Sequence, residues 1–156
     1  MAAALALAVR ETDEAGFSKW LKDHALVKKC FKEKNSSEVI SAWKSSIGIA
    51  TSAVAYAELL AAVYRKAAET RVRKAHFQSV VRNFQEDWSS FIIVEVDNRL
   101  NETIHKVIAN HGLRGFDAIH LASALAIGSA VVDNFIFACY DERLRQAAQA
   151  EGVEMI

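Results

Sequence analysis

The sequence predicts an α/β sandwich: one domain with a mostly parallel sheet of four or five strands, covered by helices. Three observations predict it. Short apolar runs bounded by turn or charge signals alternate with long helical patterns, the order that builds a parallel sheet with helices on its faces. A chain of 156 residues, 52% hydrophobic and 24% charged, can bury the core such a sandwich needs, and two domains would be crowded. No proline interrupts helix continuation anywhere, which also leaves element boundaries soft.

The elements follow in order. The opening MAAALALAV is apolar for too few residues to span a bilayer, has no basic flank and runs into RETDEA. It is a poor signal peptide, and residues 1–22 form an atypical N-terminal segment that matches no expected element. Ile47 to Ala50 reads as a buried strand. Thr51 to Glu69 and Thr70 to Trp88 read as a helical pair, apolar and then charged. Phe91 to Val96 reads as the next strand. Asn98 to His111 carries Leu100, Ile104, Val107 and Ile108 on one helical face, and Phe116 to Ile127 is apolar nearly all round, a buried helix. Phe135 to Tyr140, a helix over Glu142 to Ala150 and a last strand over Val153 to Ile156 close the chain. In such sheets, sites lie outside the carboxyl ends of the strands.

Charge excludes little. Nineteen Lys and Arg balance 19 Asp and Glu, so any basic binding surface is local. Lys28, Lys29, Lys32 and Lys34 form one such cluster, and Arg65, Lys66, Arg71, Arg73 and Lys74 another; each could meet RNA phosphates or be a solvated helix face. Trp20, Trp43 and Trp88 read as packing residues or interface anchors. Tyr56 and Tyr64, eight apart on one helix, suit core or dimer packing. Cys30 and Cys139 make no metal or disulfide spacing, and Cys139 sits in an apolar run as a buried free thiol. These features fit a cytoplasmic protein that does not enter the membrane.

Three acids stand out by their neighbourhood. Asp117, with His120 and Ser123 at three-residue steps, makes a narrow polar stripe on the apolar helix. Glu58 has Val54, Ala55, Ala61 and Ala62 as its helical neighbours and no Lys or Arg partner. A glutamate at a helix edge facing water is the plainer reading, but an unpaired carboxylate buried among apolar groups neutralises or finds a cation, so it invites a metal. Asp141 follows FIFACY, at the end of a strand and the start of a helix. Helix capping explains Asp117 and Asp141 one at a time, and His120 alone reads as a satisfied core histidine. Capping does not predict three acids at one edge of the sheet. Clustered carboxylates repel unless a divalent cation holds them, and Mg²⁺ or Mn²⁺ prefers such oxygens.

The stretches ATSAVAYAELLAAV (Ala50 to Val63), LRGFDAIHLASAL (Leu113 to Leu125) and FACYDERLRQAAQAEGV (Phe137 to Val153), with a weaker ALVKKCFKEKNSSEVI (Ala25 to Ile40), resemble the PIN domain, specifically the VapC-type toxins of toxin–antitoxin pairs. The resemblance implies a three-layer domain and a metal-dependent endoribonuclease that cuts RNA phosphodiester bonds by metal-activated water, with Mg²⁺ or Mn²⁺ as cofactor. It implies Glu58, Asp117 and Asp141 as metal ligands, and Ser52 as the hydroxyl residue that follows the second strand. It further implies a homodimer and a cognate antitoxin that blocks the acidic site.

One position departs from the family pattern. The family's first acid, aligned without a gap, falls on Lys22, with Asp23 one place later. Three readings stay open. Asp23 serves as the fourth ligand through a bulge; the chain is a catalytically degenerate PIN-fold binding module; or the N-terminus has been replaced and Lys22 belongs to another local structure.

Overall fold

The structure, a computed structural model, describes residues 5–8, 46–70, 74–131, 135–139 and 141–155. They form five strands, β1 (Leu5–Ala8), β2 (Gly48–Ser52), β3 (Ile92–Val94), β4 (Phe135–Ala138) and β5 (Glu154–Met155). Five helices accompany them: α1 (Val54–Thr70), α2 (Lys74–Trp88), α3 (Asn98–His111), α4 (Gly115–Ala130) and α5 (Glu142–Ala150).

The five strands make one sheet in the order β3-β2-β1-β4-β5. β2 pairs parallel with β3 and β4 parallel with β5, while β1 runs antiparallel to both of its neighbours, β2 and β4. Four strands therefore point one way, and the central one runs against them. That centre is drawn from LALA, in the segment for which the sequence predicts no element. LALA lies inside the continuous apolar run MAAALALAV, with neither polar alternation nor a turn signal to mark off a strand, and composition carries no information on direction, since either direction satisfies the backbone ladder.

The strand at β2 also runs further than its apolar run. Thr51 and Ser52, expected to open the helix, are the last residues of β2 and pair with Ile93 and Val94 of β3. Both are buried, 2% exposed each. Ladder pairing on a central strand outweighs the helical pattern of the residues that follow. The segment Ala25 to Ile40, both Cys30 and the first lysine cluster, and Trp20 and Trp43 lie outside the described residues.

The core lies where α4 crosses the sheet. Ala118, Leu121, Ala122 and Ala124 of that helix are each 0% exposed. Ala118, Leu121 and Ala124 pack with Phe137 of β4, Leu144 of α5, and Val107 and Leu113. Burying side chains as large as Phe137 or Leu121 contributes about 1.5–3 kcal/mol each, while the alanines let α4 lie close on β2 and α3. Cys139 belongs to this core, and burial pushes its thiol up to about 11, so it is an inert packing group.

A second cluster is aromatic. Trp88 stacks edge-on against Tyr56, Phe84 and Phe91, with ring centroids 5.0, 5.6 and 5.9 Å apart. These contacts pin α2 to α1, and they account for Tyr56 and Trp88 as packing residues. Tyr64, on the same helix as Tyr56, is 57% exposed.

Caps set where the functional helices begin. Asp97 caps α3 by accepting bonds from the Arg99 and Leu100 N–H groups, and Gly112, at φ 61°, ends it in the left-handed conformation that favours glycine. Arg143 Nη2 donates to the Gly112 carbonyl at 2.8 Å, which ties the α3–α4 turn to α5. Among the described residues, no helix is long and apolar enough to cross a membrane.

Candidate functional site

Beyond the carboxyl ends of β2 and β4 lies a cleft of about 400 Å³, lined by Glu58, Arg114, Phe116, Asp117 and Asp141 among others. Its three acids come from three separate elements: α1, the first turn of α4 and the start of α5. The four co-directional strands bring those element ends to one edge of the sheet, which is what gathers acids far apart in the chain.

Asp141 sits there because it caps α5. Its Oδ1 accepts the Leu144 N–H at 3.0 Å, and its backbone is extended, as an N-cap requires. Asp117 is not a cap. The N-cap of α4 is Arg114, without a side-chain bond, and Asp117 falls in the first turn, near the partial positive charge of the helix N-terminus. Burial outweighs that benefit. Burial first, then repulsion from Asp141 with Glu58 adding to it, holds the Asp117 carboxyl above its ordinary value, although His120 and Arg114 pull the other way. Among the described residues Asp117 has no hydrogen-bond or ion-pair partner.

Glu58 has a partner that its own helix could not supply. Its Oε2 lies 2.6 Å from Nε2 of His120 on α4. His120 is 3% exposed, and its Nδ1 lies 3.4 Å from the Ser52 hydroxyl at the end of β2. The polar stripe on α4 thus divides by neighbour: Asp117 faces the cleft, His120 bridges Ser52 to Glu58, and Ser123 bonds back to the Ile119 carbonyl of its own helix at 2.8 Å. Ser52, His120 and Glu58 in a row look like a nucleophilic relay, but Ser52 is 2% exposed, out of reach of a substrate.

Arg114 and Phe116 also line the cleft, and the sequence reading singles out neither. Their only signal is adjacency: they flank Gly115 immediately before Asp117. Phe116 is 55% exposed, an unusual state for a large aromatic beside carboxylates. Of the second basic cluster, Arg65 and Lys66 fall in the latter half of α1 and Lys74 opens α2, whereas Arg71 and Arg73 lie outside the described residues, as do Lys22 and Asp23.

The donors Glu58, Asp117 and Asp141 are carboxylates, with no thiolate among them, the set that suits a hard cation such as Mg²⁺ or Mn²⁺. Burial is the main reason the Asp117 carboxyl stands above its ordinary value, and the repulsion from Asp141 and Glu58 that adds to it is the part a cation would relieve. Among the described residues no three Asp, Glu, His or Cys side chains stand close enough together to hold a metal ion as they lie. The acids therefore fit a cation by donor chemistry and a shared cleft, not as a closed coordination shell.

Residues 24–150 match the family model described as PIN domain. The chain is 30% identical over 128 residues to Ribonuclease VapC45 of Mycobacterium tuberculosis (strain CDC 1551 / Oshkosh), covering 82% of this chain and 87% of that protein. The same figures hold for Ribonuclease VapC49 of M. tuberculosis (strain ATCC 25618 / H37Rv). The family match begins one residue after Asp23, and β1 lies ahead of it.

Proposed function

The chain belongs to the PIN-domain family, and we propose that it is a toxin-type endoribonuclease that cleaves RNA with Mg²⁺ or Mn²⁺ held by Glu58, Asp117 and Asp141. Asp23 is the proposed fourth ligand. The observation that carries this reading is the meeting of three acids from three elements in one cleft, with one of them, Asp117, held above its ordinary value by burial and then by the other two.

A divalent cation bound there supplies charge neutralisation at a phosphate and lowers the pKa of bound water. The chain's own residues do the rest. Glu58, Asp117 and Asp141 provide anionic oxygens, and Asp141 does so from a cap that fixes its backbone at the start of α5. The Arg114 guanidinium, exposed at the cleft, supplies a cation for an RNA phosphate, and the exposed Phe116 ring offers a face on which a base can stack. A cognate antitoxin, a homodimer and a cytoplasmic location go with this reading.

Purified full-length protein should cleave single-stranded RNA in Mn²⁺ and stop when EDTA is added. If Asp117→Asn cleaves as well as the unaltered protein, the site is wrongly assigned. The competing reading, a catalytically degenerate binding module, rests on Lys22 standing at the first acid's position. It predicts no cleavage and no rise in melting temperature with Mn²⁺, whereas a nuclease that binds the ion is stabilised by it.

A further inference from the structure

We propose that His120 is a positioning residue: through Nε2 it holds the Glu58 carboxylate in its ligand orientation, and Ser52 holds the His120 ring. The proposal rests on the reading of Glu58 as a cation ligand. An ionised carboxylate only accepts hydrogen bonds, so the 2.6 Å contact assigns a proton to Nε2. Nδ1, on the other side of the ring, lies 3.4 Å from the Ser52 hydroxyl, a longer and weaker contact.

The arrangement joins three elements. Ser52 ends β2, Glu58 stands on α1, and His120 lies one helical turn after Asp117 on α4. At 3% exposure the ring has little room to turn, so its donor keeps one direction. Only one oxygen of Glu58, Oε2, is taken by the bond. Partners that orient a ligand in this way set metal affinity without touching the metal, and their loss typically weakens binding ten- to a hundredfold.

The test is Mn²⁺ alone, titrated into the full-length protein and followed by the EPR signal of the free ion, with far-UV circular dichroism to establish that each variant is folded. His120→Leu, which keeps the volume and removes the donor, should weaken Mn²⁺ binding by about ten- to a hundredfold. His120→Gln, which restores an N–H donor, should recover most of that loss. Glu58→Gln should weaken binding too, and adding His120→Leu to it should weaken it no further, because both changes act on one ligand. A merely structural histidine lowers the melting temperature without this non-additivity. If His120→Leu does not fold, Ser52→Ala carries the test, with a weakening of about threefold expected because it frees only the far side of the ring. A folded His120→Leu, or Ser52→Ala in its place, that binds Mn²⁺ like the unaltered protein, while Glu58→Gln does not, overturns the positioning role and leaves the site reading standing. No Mn²⁺ binding by the unaltered protein overturns the site reading, and this role with it.

Discussion

The acid on α1 and the acid on α4 face one cleft but are held by opposite means. Glu58 is tied at 2.6 Å to a histidine buried in the fold, whereas Asp117 has no such tie among the described residues and is pressed by burial and by Asp141. One carboxylate is a member of the folded structure, and the other is a repulsion that the fold tolerates. Stability and site chemistry therefore separate at two residues that a list of candidate ligands would treat alike.

The largest effect should not distinguish them. On the proposed reading of both as cation ligands, Asp117→Asn and Glu58→Gln are each expected to lower kcat/KM for RNA cleavage by about a thousandfold, about 4 kcal/mol of transition-state stabilisation, because each removes a carboxylate charge. Single-turnover cleavage in Mn²⁺ measures both. Full activity in either variant would break the pairing.

Stability should split them by sign. Glu58→Ala leaves the buried Nε2–H of His120 without its acceptor, at a cost of about 1–3 kcal/mol. Asp117→Ala removes a charge that the fold disfavours, so urea unfolding in EDTA should show it as stable as the unaltered protein or slightly more so. A loss equal to that of Glu58→Ala would mean that Asp117 also has a structural partner.

A smaller effect concerns the rim of the cleft. Arg114→Ala and Phe116→Ala are each expected to raise KM for single-stranded RNA by about tenfold, about 1.4 kcal/mol, with kcat within about twofold. A fall in kcat without a change in KM would move them from substrate binding into the chemistry.

The smallest effect is in pH. A carboxyl whose folded-state pKa is raised contributes stability that is fully present below its ordinary value of 3.8 and is lost as pH rises through the raised value. Asp117 therefore destabilises the cation-free protein at neutral pH. Asp117→Asn should melt about a degree higher at pH 7, given how exposed the carboxyl remains, and that margin should close as the pH falls towards 3.8. A margin independent of pH would mean that the gain has another source than charge.

Much of this was legible before any fold was considered. The helices over Asn98 to His111 and Glu142 to Ala150 have the bounds their patterns predict, since each begins at a capping aspartate, Asp97 or Asp141, followed by amphipathic spacing. The buried helix of Asp117 and the last three strands stand within a few residues of their apolar runs. Two elements were not legible. The central strand Leu5–Ala8 sits in a uniformly apolar run with no alternation or turn signal to mark it off, and the end of β2 belongs to the ladder with β3 because of its neighbours, not its own residues.

The candidate site divides in the same way. Three acids in unsuitable company were visible one by one, because an apolar neighbourhood is a local property. His120 read as a core histidine, which it is, but its partners lie 62 and 68 residues away along the chain, and no local pattern announces them. Arg114 and Phe116 carry no pattern at all; only the cleft assigns them a place.

By itself, then, the sequence determined which segments form most of the helices and strands, that Glu58 has no counter-charge three or four places away on its helix, and which family the chain resembles, because periodicity, capping and motif are written in neighbouring residues. Tertiary structure alone decided that the central strand runs against the others, that Glu58 meets His120 and His120 meets Ser52, and that burial and Asp141 press on Asp117. Hydrogen bonding across elements, desolvation and repulsion between charges depend on distances through space, and those exist only once the chain has folded.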